Sequence, residues 1–224
     1  MAATHQFVVV GDRDLEDTSD VFHCFLADNG DTVWSVRYPA HGQLDYGNQP
    51  RATPLIHGEH VYLYGAFSDL SCVELATGQI VWQKNLRADY GTQAKFIWGT
   101  CASPLIVDGH LIVNPGAADA TIVALDPLTG QERWRSPGPP PAYGSFLAAE
   151  LGGTPQVIGH DRQSLGGWDV RTGVRLWTLK LPFSDDFNVP TPVLCGSRLL
   201  VTSENNGTRL YRFDADGVID PAPV

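Results

Sequence analysis

A nine-residue segment occurs four times in this chain, at 26–34, 74–82, 126–134 and 169–177. Each copy ends in tryptophan (Trp34, Trp82, Trp134, Trp177), with glycine four positions earlier (Gly30, Gly78, Gly130, Gly173). Threonine precedes the glycine in three copies (Thr77, Thr129, Thr172), and Asn29 takes its place in the first. The tryptophans follow one another at intervals of 48, 52 and 43 residues. A period in the forties restricts the chain to two architectures, a β-propeller or a helical solenoid.

The local pattern selects the propeller. A second block recurs, running from Thr53-Pro54 to Gly58, from Ser103-Pro104 to Gly109 and from Thr191-Pro192 to Gly196. Short runs rich in β-formers follow it at 61–64, 111–113 and 199–202. The third unit therefore predicts four strands, near 104–107, 111–114, 121–125 and 131–135, with turn residues between them. The fourth unit is less regular. It predicts strands within 144–153 and at 154–158, 164–169 and 175–179. No segment sustains an apolar period of 3.6, which disfavours the solenoid. Four short antiparallel strands make one propeller blade. The expected fold is thus all-β, a propeller of four-stranded antiparallel blades, with about five blade units counting partial ones. The span 1–224 is read as one such domain. The glycines supply the positive φ of a hairpin turn, and the tryptophans are expected to fill the space between sheets.

Composition narrows the function. A formal charge of −10 opposes binding to phosphate backbones, so nucleic acid is not an expected partner. No apolar run reaches the roughly 20 residues of a membrane helix. The N-terminus lacks a basic region and a long apolar stretch, so no signal peptide is expected, and the strand at 7–10 places the start inside folded structure. The cysteines Cys24, Cys72, Cys101 and Cys195 show no metal-site spacing and are expected to be buried free thiols. Cys24 and Cys72 each stand ten residues before a repeat tryptophan, so they are repeat equivalents.

The units at the two ends are partial, and closed propellers need at least four blades. Three arrangements account for this: part of a longer chain, two ends joining into a composite blade, or two chains completing each other. The first is the expectation. Open blade edges would also permit self-association.

The blade-end motif Asp-x-x-Thr-Gly-x-x-x-Trp, with Ser/Thr-Pro strands ending at glycine, resembles the pyrroloquinoline quinone (PQQ)-like propeller repeat. The stretches at 46–54 and 97–104 are similar to exported bacterial repeat proteins of the BamB-like kind. That superfamily holds scaffolds and quinoprotein alcohol dehydrogenases alike, so the resemblance specifies fold rather than function. Abundant structural signature and scarce chemical signature give the expectation of a non-catalytic scaffold that binds a protein or small ligand at the propeller mouth without a cofactor, and the resemblance implies that it is exported or periplasmic. The alternative is a quinoprotein dehydrogenase using PQQ and calcium. Asn188, Glu204, Asn205 and Asn206 offer oxygen ligands for that ion, whereas the adjacent cysteine pair of many quinoproteins is absent. No hydrolase or phosphate-loop motif is present.

The ligand-site candidates are Arg51 and Trp98, just before blade-opening strands, and His160, Asp161 and Arg162, in a turn of the irregular blade. His57, His60 and His110 fall in solvated turns. Tyr143 ends a proline-rich loop that either links blades or presents the ring to a partner. Asp12, Arg13, Asp14, Asp185 and Asp186 read as solvated loop charges. Asp214 to Gly217 reads as a blade-end turn, and Asn206-Gly207 as a hairpin turn.

Overall fold

The computed structural model describes residues 1–183 and 186–224; Asp185 lies outside that range. The described residues form four four-stranded antiparallel sheets and one three-stranded sheet, with a single short helix. The chain separates into two compact units. One comprises residues 1–104 and 126–131, and the other comprises 105–125 and 132–224.

The first unit holds two sheets. One contains β1 (Ala2–Ala3), β2 (Phe7–Arg13), β3 (Ser19–Leu26) and β4 (Thr32–Pro39). The other contains β5 (Leu55–His57), β6 (His60–Tyr64), β7 (Asp69–Glu74) and β8 (Ile80–Asn85), followed by helix α1 (Leu86–Asp89). The second unit holds three. The first is β9 (Leu105–Val107), β10 (His110–Val113), β11 (Ile122–Leu125) and β12 (Glu132–Ser136). The second is β13 (Leu147–Leu151), β14 (Thr154–His160), β15 (Leu165–Asp169) and β16 (Arg175–Leu179). The third is β17 (Val193–Cys195), β18 (Arg198–Ser203) and β19 (Gly207–Arg212). Strands pair in chain order within every sheet, so each sheet is a meander.

Burial follows from position in the meander. The middle strands β6, β7, β10 and β11 are covered on both faces and are mostly apolar, with the buried Ser71 interrupting the run in β7. The fourth strands β4 and β12 alternate buried with exposed residues, as expected where one face meets water.

The repeated motif has a consistent chemistry. Asp126 Oδ1 accepts from the Leu128 and Thr129 amides and from Thr129 Oγ1. Asp169 does the same for Arg171 and Thr172. The glycine amide then closes the turn onto the carbonyl four residues back, as Gly130 does onto Asp126 at 2.8 Å. Aspartate and threonine thus satisfy backbone donors that a tight turn leaves open.

The tryptophan docks on the next copy of the turn. Trp34 Nε1 donates to the Leu75 carbonyl at 2.8 Å, and a Cβ on Gly78 would lie 2.7 Å from Trp34 Cγ. In the same unit Trp82 donates to Pro127 O at 2.9 Å and lies against Gly130. In the second unit Trp134 donates to Val170 O at 2.7 Å and lies against Gly173. Trp177 has no later copy to meet; its Nε1 donates to Gln156 Oε1, and its ring packs on Phe213. The motif glycine therefore does two jobs, since it takes positive φ and leaves room for an indole.

Four expectations need correction. Arg13 and Asp14 are not solvated: the Arg13 and Asp14 side chains are 9% and 5% exposed, and both join ion pairs. Asp186 is buried. It accepts from Ser203 Oγ, the Asn205 amide and both asparagine side chains at 205 and 206. Tyr143 is buried with its ring against Phe187, so it is not presented outward. Cys24 and Cys72 are fully buried, with burial pushing each thiol up to about 11, but Cys101 is only partly covered and Cys195 is exposed. Cys195 ends the three-residue edge strand β17, whose outward positions meet water.

Candidate functional site

The first unit contains a cleft of about 530 Å³ at the ends of its two sheets. It is formed by the segment leaving β4, the β6–β7 turn, the start of α1 and the segment 96–99. Antiparallel pairing brings these together, because the end of each fourth strand lies beside the start of the third.

The β6–β7 turn is tightly fixed. Gly65 N donates to Asp69 O at 2.8 Å, and Ser68 N donates to Gly65 O. Ser68 adopts φ +73°, a left-handed conformation that costs energy for a residue with a Cβ. Its hydroxyl is held by Thr100 Oγ1 at 2.9 Å. The turn thereby presents Phe67 and Asp69 to the cleft. Asn85 pairs with Asp69 in the β7–β8 register, and its Nδ2 donates to Asp69 Oδ1 at 3.0 Å and to Phe67 O at 3.2 Å. Asn85 Oδ1 accepts from Ala88 N and so caps α1, which sets Arg87 on the rim.

Behind this wall lies a buried charge cluster. Asp20 is 0% exposed and pairs with Arg13 Nη1 at 2.7 Å. Arg13 also donates to Asp17 Oδ1, Asp17 O and Ala40 O, and its guanidinium lies 5.5 Å from the Phe67 ring centre. A Cβ on Gly65 would overlap both Asp20 Oδ2 and the Tyr38 hydroxyl, so only glycine fits where these groups converge. Burial raises the Asp20 carboxyl to about 6 despite Arg13. Burial also raises Asp69, against the opposing hydrogen bond from Asn85.

The residues singled out from sequence fall in both units. In the first, Arg51 Nη2 donates to the carbonyls of Asp45 and Gly47 at 2.6 and 2.7 Å. Tyr46, 83% exposed with φ +65°, sets its ring 6.3 Å from that of Trp98. Arg51 and Trp98 thus brace neighbouring loops beside the cleft, joined also by Asp45 N to Ile97 O. In the second unit, Asp161 is buried and accepts from Gln163 N, Ser164 N, Ser164 Oγ and Arg175 Nη1. His160 is 2% exposed, and neither ring nitrogen has a hydrogen-bond partner. Burial lowers its pKa to about 4, so the ring is neutral. Arg162 is half-buried and its amide donates to Pro140 O. Sequence reasoning missed Asp20, Asp69, Asn85 and Arg87.

A family model described as outer membrane protein assembly factor BamB matches residues 17–217. The chain belongs to this family. No curated protein sequence matches it significantly. Among solved structures, BamB from Moraxella catarrhalis aligns with a TM-score of 0.63 at 19% identity, covering 95% of this chain and 56% of that one. The computationally designed Ika8 protein aligns at 0.61 and 15% identity, over 95% of this chain and 57% of that one. The quinohemoprotein alcohol dehydrogenase from Comamonas testosteroni aligns at 0.66 and 15% identity, over 93% and 40%. This BamB-family chain therefore spans about half the length of the structures it resembles, and the likeness establishes a β-propeller fold.

Among the side chains suited to calcium in the quinoprotein reading, Asn188 Oδ1 is buried with no hydrogen-bond partner among the described residues, whereas the two later asparagines are engaged. The Asn205 and Asn206 amides donate to Asp186, and Asn206 Oδ1 accepts from Phe183 N. Glu204 is exposed. Among the described residues, no three of His, Cys, Asp and Glu are grouped so as to hold a metal. No helix among them is long and apolar enough to cross a membrane.

Proposed function

We propose that this chain is a non-catalytic binding scaffold, exported or periplasmic, that engages a protein partner or small ligand through loops at its sheet ends. The observation that carries this reading is the family match across 17–217, whose description is an assembly role. Supporting it, the cleft and the Arg51–Trp98 loops sit on turns locked by side-chain hydrogen bonds. A rigid framework with exposed connecting loops suits recognition. The scaffold works without a bound quinone, a reading supported by the engagement of the Asn205 and Asn206 amides with Asp186.

Photo-crosslinking in the native cell tests this. A crosslinker placed at Tyr46 or Phe96 should capture an outer-membrane assembly protein in the periplasmic fraction, while one at the exposed hairpin residue Leu128 should not. Equal capture from all three positions, or a cytoplasmic location, overturns the reading. The likeness to quinohemoprotein dehydrogenases favours a second reading. Alcohol oxidation on adding PQQ and calcium would establish that one instead.

A further inference from the structure

We propose that the cleft of the first unit binds an ammonium or guanidinium group, held by Asp69 between the rings of Phe67 and Phe96. This rests on the binding-scaffold reading and assigns its ligand chemistry.

The argument begins with charge. Asp69 is half-buried in the cleft wall, and Asn85 satisfies its Oδ1. Among the described residues Asp69 makes no ion pair, and the further hydrogen bond to its carboxylate comes from its own backbone amide. Arg13 cannot neutralise it. That guanidinium is engaged by Asp20, by Asp17 and by the Ala40 carbonyl. Asp17 and Asp20 already share that cation, and Asp69 adds a further negative charge near Asp20. A partly desolvated carboxylate without a counter-charge is costly, and a cation arriving from the cleft relieves that cost.

The walls suit an organic cation rather than a metal ion. Phe67 and Phe96 both line the cleft, and aromatic faces attract ammonium and guanidinium groups. Phe67 already has Arg13 within 5.5 Å of its ring centre, which shows the ring in that use. A divalent metal needs several converging oxygens, and no three of His, Cys, Asp and Glu are grouped to hold one among the described residues. His41 and Arg87 stand exposed on the rim, and Arg87 makes no ion pair there. Its positive charge weakens the attraction for a cation and is itself free to receive an anionic group on the same ligand.

The two sources of such a group are a free amine and a basic side chain of a peptide. The full chain, labelled with nitrogen-15, is titrated with three probes. They are putrescine, the tripeptide acetyl-Gly-Lys-Gly-amide and its norleucine counterpart. Saturable shifts of the Asp69 and Phe67 amides are expected with the lysine peptide, or with putrescine, but not with the norleucine peptide. Binding of putrescine alone assigns a small amine, and tighter binding of the peptide assigns a basic side chain. Asp69→Asn keeps the acceptor for Asn85 and should weaken binding at least tenfold. Arg87→Ala should strengthen it about twofold to fivefold, a gain that a fold defect would not produce. Unchanged affinity in Asp69→Asn, equal binding of the norleucine peptide, or no saturable shift with any probe overturns the proposal. None of those results bears on the crosslinking from Tyr46, so the scaffold reading fails or survives separately.

Discussion

Trp34 and Gly78 are 44 residues apart in sequence and in direct contact: the indole occupies the space where a side chain at Gly78 would begin. The same turn accepts the Trp34 Nε1 proton through Leu75 O. Gly78→Ala should therefore suffer twice, from left-handed strain of roughly 1–2 kcal/mol and from overpacking of roughly 1–3 kcal/mol. Gly30 shares the φ but has open space around it, so Gly30→Ala should show the strain alone. Urea unfolding of the two variants measures the difference.

Trp134 separates packing from hydrogen bonding. Trp134→Phe keeps much of the ring and leaves Val170 O without its donor, a loss of about 1–3 kcal/mol. Trp134→Ala also opens a cavity and should cost about 3–5 kcal/mol. Thermal melts should rank the two variants in that order.

Two buried groups give pH dependences of opposite sign. Burial raises the Asp20 carboxyl to about 6 in the fold, against an ordinary 3.8. Between pH 6 and 4 the folded state takes up the proton first, so acidification adds stability. His160 titrates at about 4 against 6.5. Between pH 6.5 and 4 the unfolded state takes up the proton first, so acidification removes stability. As pH falls, the wild type should gain on Asp20→Asn and lose ground to His160→Gln. Each slope is at most about 1.4 kcal/mol per pH unit. Stability curves at pH 7, 6, 5 and 4 check both signs.

Asp186 gathers five donors onto one carboxylate. Asp186→Ala leaves them unpaired and should cost about 1–3 kcal/mol. The loosening should be local, with amide exchange at 203–206 accelerated well before that of the β18 interior.

Sequence reading succeeded where the physics recurs. The turn chemistry repeats, so the strands of the third and fourth units fell within a few residues of 105–136 and 147–179. The ten-residue interval from cysteine to tryptophan proved to be a cross-strand pairing, Cys24 with Trp34 and Cys72 with Trp82. The cleft did not recur and so was hidden. Asp69 is recognisable only beside Asn85 and Phe67, and nothing in the repeat predicts that company. Asp186 looked like a loop charge because four of its five donors lie 17 to 20 residues downstream. Of the two readings of the proline-rich loop, presentation of Tyr143 fails, because the loop folds its ring against Phe187.

The docking of Trp34, Trp82 and Trp134 on the glycine of the following copy has a bearing on how such a chain can grow. Each copy of the motif carries half of one lock and half of the next. Duplicating a whole copy in tandem restores every lock automatically, because the inserted segment brings a ring for its successor and a seat for its predecessor. An insertion out of phase with the motif strands one of each. Lineages of this architecture can therefore lengthen by whole copies at little structural risk. Intervals of 48, 52 and 43 residues show where they vary instead, in the loops between one ring and the next seat.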